Sequence, residues 1–280
     1  MSATSTSESV TGADARLRIG PRSALVLVLV SVVGLMMLGW PLLLEVEGGT
    51  RVDPPFLFIA LMPLLLVMVL AEMTEGGMDA RMLAILGLLS AINGVLRGLG
   101  AGVAGIELIF FLMVLAGRVF GPAFGFVLGC TSLFVSALFT AGVGPWLPFQ
   151  MLVAGWVGMG AGLLPRRPRG RREIAMLVVY GMVAAYAYGA LMNLWGWPLA
   201  LGIEVPGREA TELSYVAGAP LAENLRRFVV YTLVTSTGGW DTGRAVTNGL
   251  AIAVVGPAVL STLRRAARRA TVVRVPAPTP

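Results

Sequence analysis

Charged residues are missing from long stretches of this chain. Ser23 to Leu44, Pro54 to Ala71 and Ala245 to Leu263 carry none, and Val119 to Pro165 carries none over 47 residues. An apolar run of about 18 residues or more is long enough to cross the ~30 Å hydrocarbon core of a bilayer as a helix. The pattern predicts eight helices, at 23–44, 54–72, 82–97, 105–118, 121–141, 147–164, 173–194 and 241–263. The fold class it implies is an all-α, polytopic helical membrane protein. The first apolar run, 22 residues long, is longer than a secretory signal core and has no clear small-x-small cleavage site before polar chain, so it is expected to remain as a span. Residues 1–22 begin rich in Ser, Thr, Ala and Gly and are expected to form a disordered tail. The Pro-rich end, 270–280, is expected to form a second tail.

Composition strengthens this reading. The chain has 280 residues, 56% apolar and only 13% charged, where a soluble domain carries about a quarter charged. It contains no histidine and no lysine, so all 21 basic residues are arginine. Ser-His, Ser-Lys and Cys-His nucleophile pairs are therefore excluded. So is an imidazole metal site, and the single cysteine, Cys130, cannot build a thiolate site or an internal disulfide. General acids and bases are reduced to carboxylates and tyrosine. The chain does not read as an enzyme, and no cofactor is expected.

The pI near 10.4 could suggest nucleic acid. The distribution of the arginines points instead to the lipid bilayer. With the N-terminus in the cytoplasm and each helix crossing once, 15 of the 21 arginines fall inside, among them Arg118, the block Arg166 to Arg172, and Arg264 to Arg274. Arg51, Arg97, Arg208, Arg226 and Arg227 fall outside, and Arg244 lies within the last segment. The positive-inside rule favours this orientation, with both termini cytoplasmic.

Composition also divides the chain. The first two helices are rich in Leu and Val; after the polar loop Glu72 to Arg81, Gly and Ala recur at close spacing. Residues 23–78 read as a two-helix N-terminal addition and 79–269 as a six-helix core. In the core, Gly121, Gly125 and Gly129 recur every four residues, as do Gly94, Gly98 and Gly102, and Gly158 with Gly162. Such spacing lets helix backbones approach closely. Most of these faces are expected to pack within the chain. Ala80, Ala84, Gly87 and Ala91, in the cytoplasmic half of the third helix, are reserved for contact with another membrane subunit.

Polar and aromatic exceptions gather at the outer ends. Arg97 and Glu107 bound a Gly-rich loop; Trp146 and Gln150 follow a Gly-Pro turn; Asn193, Trp195 and Trp197 end the seventh helix; and the longest loop, Gly196 to Arg227, follows. An interfacial aromatic belt accounts for such tryptophans, and so does the wall of a cup for a ringed ligand. Asp241, Arg244 and Asn248 stand at i, i+3 and i+7, on one helical face. Charges in a membrane segment are costly and normally paired. The Asp-Arg pair is therefore either structural or a ligand contact. Gly238 and Gly239 are expected to break the helix just before Asp241, which would then stand in the N-terminal cap region.

The core resembles the substrate-binding S components of energy-coupling-factor (ECF) transporters, which take up vitamins in prokaryotes. The similarity runs through Ala91 to Pro165, with "LAGRVFGPAFGFVLG" as a tight cytoplasmic turn, and resumes from Thr235 to Arg269. "ARMLA", Ala80 to Ala84, resembles the family's Ala-x-x-x-Ala motif, which packs on the transmembrane coupling subunit, and "GLLSA", Gly87 to Ala91, is a degenerate continuation. Two departures stand out: eight helices where the family core has six, and no motif that fixes the vitamin.

The resemblance implies a prokaryotic plasma-membrane protein that binds a vitamin from outside. It would then associate with a coupling subunit and two cytoplasmic ATPases. This chain has no Gly-x-x-x-x-Gly-Lys loop, so it is not the ATPase. The ligand contacts expected are Arg97, Glu107, Trp146, Gln150, Asn193, Trp195, Trp197, Asp241, Arg244 and Asn248. An arginine-rich composition, a large outer loop and many aromatics suggest a bulky, cobalamin-like ligand ahead of riboflavin-like or thiamine-precursor ones. Two other classes stay open: a membrane scaffold with no ligand, and a stand-alone secondary transporter, which would often show inverted repeats.

Overall fold

A computed structural model describes residues 20–43, 56–75, 78, 80–100, 105–140, 142–199, 213–216 and 218–271. Among them there are helices and no strand. In chain order these are α1 (Pro21–Leu38), the short α2 (Trp40–Leu43), α3 (Phe56–Glu75), α4 (Ala80–Gly100), α5 (Ile109–Phe120), α6 (Pro122–Thr140), α7 (Leu147–Leu163) and α8 (Arg171–Gly196). After a 3-10 turn (Trp197–Leu199) come α9 (Leu221–Thr232), a π-helical segment (Leu233–Asp241), α10 (Thr242–Val254) and α11 (Gly256–Thr271). The tails 1–19 and 272–280, Gly102, and residues 200–212 of the long loop lie outside the described residues.

Four helices among the described residues are long and apolar enough to cross a membrane: Pro21–Leu38, Ala80–Gly98, Pro122–Thr140 and Arg171–Leu199. The run Leu221–Val254, with Gly256–Arg268 bent from it by 67°, makes a fifth. Apolar α5 and α7 are shorter. Every residue of α5 is buried. It is the axis of the bundle, wrapped by other helices rather than by lipid. Apolar side chains left exposed, such as Val28, Leu29, Leu88, Val183 and Leu250, stud the outer helices, where hydrocarbon is the natural solvent.

The glycine repeats pack inside the chain. A Cβ on Gly125 or Gly117 would collide with the Gly158 carbonyl, and one on Gly129 with the Ala154 carbonyl. The α6 and α7 backbones therefore touch, with α5 against them. Gly121 (φ 97°) makes the tight turn from α5 into α6, a conformation that favours glycine. Cys130 is buried and donates its thiol to the Met151 carbonyl at 3.3 Å, as a core residue would. The N-terminal helices join this core: Leu152 lies against Gly34, and Trp156 Nε1 donates to Ser31 Oγ at 2.8 Å.

Two features depart from the sequence reading. The chain does not break at Gly238 and Gly239; helix continues through them in π form, and Asp241 (φ −73°, ψ −37°) is an interior helical residue with no capping bond. In a bilayer every backbone group must be satisfied internally, so helix persists where glycine would end it in water. The span expected at 241–263 also falls elsewhere. It begins twenty residues earlier, at Leu221, which puts Arg226 and Arg227 on a helix rather than in a loop. It ends at Val254, where Gly256 and Pro257 start α11 at a new angle.

Candidate ligand-binding site

At one end of the bundle, α7, α8, α9, the π segment and α10 line an open cavity of about 280 Å³. Gln150 comes from the first turn of α7, and Tyr188, Gly189, Met192 and Asn193 from the last turns of α8. Tyr231, Thr235, Ser236, Trp240, Asp241 and Arg244 come from the helix that faces them. Gly189 is needed for this fit, because a Cβ there would overlap the Asp241 carboxylate.

The π turn sets Asp241. Ser236 Oγ donates to Asp241 Oδ2 at 2.7 Å, and Thr242 Oγ1 donates to the Thr237 carbonyl at 2.6 Å. Both bonds link positions five apart, which a π-helix stacks and an α-helix does not. Arg244 Nη1 meets Asp241 Oδ1 at 3.2 Å, and its Nε meets Glu107 Oε2 at 2.8 Å. Glu107 Oε1 accepts from Arg97 Nε at 2.9 Å, and Arg97 Nη1 reaches Ser136 Oγ at 3.1 Å. Asn248 Nδ2 donates to the Glu107 and Arg244 carbonyls at 2.7 and 2.8 Å. The Arg244 guanidinium lies 5.1 Å from the Tyr188 ring centre and 5.9 Å from that of Phe110, within cation–π range. The result is one continuous chain of charges joining α4, the segment just before α5, and α10.

The residues expected at the site thus separate into three groups. Gln150, Asn193, Asp241 and Arg244 line the cavity. Arg97, Glu107 and Asn248 stand behind Arg244 and hold it. The three tryptophans are not among the lining residues. Trp146 is exposed on the turn before α7. Trp195 is buried against Phe149, ring centres 5.3 Å apart. Trp197 is buried among Tyr215, Phe228 and Tyr231 and donates to the Leu213 carbonyl at 2.7 Å. It ties α9 to the end of α8 and reaches the cavity only through Tyr231. Tyr188, Gly189, Tyr231 and Ser236 carry no signal in the sequence, because their meeting depends on the π register and on which face of α8 turns inward.

The opposite end carries a second ionic cluster. Buried Arg118 donates Nε to Glu173 Oε1 at 2.7 Å and Nη1 to the Leu164 and Pro165 carbonyls at 3.0 and 2.9 Å. Arg264 Nη2 grips both Glu173 oxygens at 2.8 and 2.7 Å. The amphipathic helix α11 is thereby fastened to α5 and α8. The arginines of the α7–α8 connection, Arg166 to Arg169, lie at this same end. On α4, Ala80, Ala84, Gly87 and Ala91 are all exposed, and nothing lies within 4 Å of where a Gly87 Cβ would sit.

The family model for the substrate-specific component of ECF transporters matches residues 81–273. The chain belongs to this family. No curated protein and no solved structure matches it. As an ECF substrate-specific component it is a multi-pass membrane subunit of a transporter, not an enzyme, and its complex includes coupling and ATPase subunits in a lipid bilayer.

Proposed function

We propose that this subunit captures a vitamin-class small molecule from outside a prokaryotic cell in the cavity between α8 and the π segment, then delivers it inward. Its termini lie in the cytoplasm on this reading, because the arginine-rich end then faces inside. Gln150, Asn193, Asp241 and Arg244 touch the ligand, and Arg97, Glu107 and Asn248 fix the Arg244 guanidinium. The coupling subunit packs on the exposed small-residue face of α4, at Ala80, Ala84, Gly87 and Ala91, where another helix backbone can come close.

The observation that carries the reading is the cavity itself, which combines aromatic walls with a few polar groups at the end remote from the Arg118 cluster. Its 280 Å³ sits near the lower bound of the ~300–1,000 Å³ typical of small-molecule pockets.

The test is coexpression with the coupling subunit and ATPases, followed by copurification and uptake measured in vesicles. Ala84→Trp is expected to abolish copurification and uptake while the isolated variant retains its ligand. A variant that still assembles and transports removes α4 from the interface. A wild-type protein that assembles but transports nothing and retains no ligand supports a scaffold instead.

A further inference from the structure

We propose that the cavity takes a ligand with no formal charge, recognised through amide and hydroxyl groups rather than through an ion pair. The proposal rests on the capture reading above and names the class of molecule captured. Two positive and two negative side chains line or back the cavity: Arg97, Arg244, Glu107 and Asp241; Glu223, Arg226 and Arg227 stand farther along α9 and do not line it. Each of the four is already paired with another. Both Glu107 oxygens are held by arginines, at 2.9 and 2.8 Å, and Asp241 accepts from Arg244 on one oxygen and from Ser236 on the other. The group is charge-balanced and largely shielded, with side-chain exposures of 12% for Arg244 and 1% for Asp241.

Because these four side chains already neutralise one another, a ligand carboxylate, phosphate or ammonium would bring a net charge that no counter-charge in the group is left to offset, which is costly in a membrane segment. Apart from Nη2 of Arg244, the cavity groups with hydrogen-bonding capacity to spare are uncharged. The Gln150 amide and the Tyr188 hydroxyl have no hydrogen-bond partner among the described residues. Asn193 Nδ2 is buried without one. A buried, unsatisfied N–H is unfavourable, and a carbonyl or ring nitrogen on the ligand would satisfy it. The Tyr188 and Trp240 rings supply apolar walls beside it. These features together suit an uncharged ring system that carries hydrogen-bond acceptors on its edge.

The full chain, purified in detergent, is titrated calorimetrically with riboflavin and nicotinamide, which carry no charged group, and with thiamine, pantothenate, biotin and nicotinate, which carry charge at neutral pH. Any small molecule retained through purification is identified by mass spectrometry. The expected result is that an uncharged compound, from the panel or retained, binds at least about 100-fold more tightly than every charged one. Its affinity should change less than about twofold from low to high salt, since salt screens only charge–charge attraction. A charged compound that binds as tightly as the best uncharged one, or a retained molecule bearing a carboxylate, phosphate or ammonium, overturns the proposal and leaves the capture reading standing. Folded protein that assembles with its partners yet binds and retains nothing overturns both.

Discussion

Ser236 and Asp241 are bonded at 2.7 Å across five positions of one helix. An α-helix turns residues five apart away from each other, so the bond exists only because Leu233–Asp241 is π-helical. It holds the Asp241 carboxylate over Gly189 and within 3.2 Å of Arg244. Ser236→Ala removes the hydroxyl that pins this register. A hydrogen bond to a charged group contributes about 1.5–3 kcal/mol, so ligand affinity is expected to fall roughly ten- to a hundredfold. Calorimetry checks this, and unchanged affinity would free the register from Ser236. Gly189→Ala should have a comparable or larger effect, because the new methyl displaces the carboxylate.

Arg244→Gln and Trp146→Ala make a contrasting pair. Arg244 lines the cavity and closes the charge chain to Glu107 and Asp241. Its loss leaves buried carboxylates short of a partner, and both ligand affinity and thermal stability are expected to drop. Trp146 is 42% exposed and does not line the cavity. Its truncation should leave affinity within about twofold of wild type, since scattered exposed residues contribute little. A large loss in Trp146→Ala would mean that the Gly-Pro-Trp turn closes over the bound ligand.

Glu173→Ala addresses the other end. It removes the one carboxylate shared by Arg118 and Arg264 and leaves Arg118 buried without a counter-charge. Breaking a buried pair by removing one partner costs about 3–5 kcal/mol. The variant should melt well below wild type in detergent, and α11 should gain protease sensitivity, because its tie to α8 is gone. Glu173→Gln, which keeps hydrogen-bonding capacity, should fall between. Ligand affinity of any folded fraction should stay near wild type, since the cavity is at the opposite end.

Much of the architecture is legible in the sequence for a simple reason. A bilayer tolerates few charges and no unsatisfied backbone, so charge-free runs mark helices, and four-residue glycine spacing marks where two of them touch. Gly125, Gly129 and Gly158 stand out as close-packing positions from spacing alone, and the fold sets Gly125 against Gly158 and Gly129 against Ala154. That Ala80, Ala84, Gly87 and Ala91 share one face of their helix follows equally from spacing. The charged residues of the site were also visible as exceptions, because Arg97, Glu107, Asp241 and Arg244 interrupt apolar chain.

Only the tertiary structure decided who pairs with whom. Glu107 and Arg244 are 137 positions apart, and nothing in either neighbourhood names the other. Helical spacing placed Asp241 with Arg244 but read Gly238 and Gly239 as a break, because glycine's preference in water says nothing about a helix whose backbone has no solvent to bond. The tryptophans stand off the cavity for a related reason. Trp195 and Trp197 stand at a helix end in either case, and whether an indole faces a cavity or packs on Phe149 and Tyr215 depends on neighbours supplied from elsewhere in the chain. Hydropathy is a property of each segment, whereas the cavity is a property of the contacts among α7, α8, the π segment and α10.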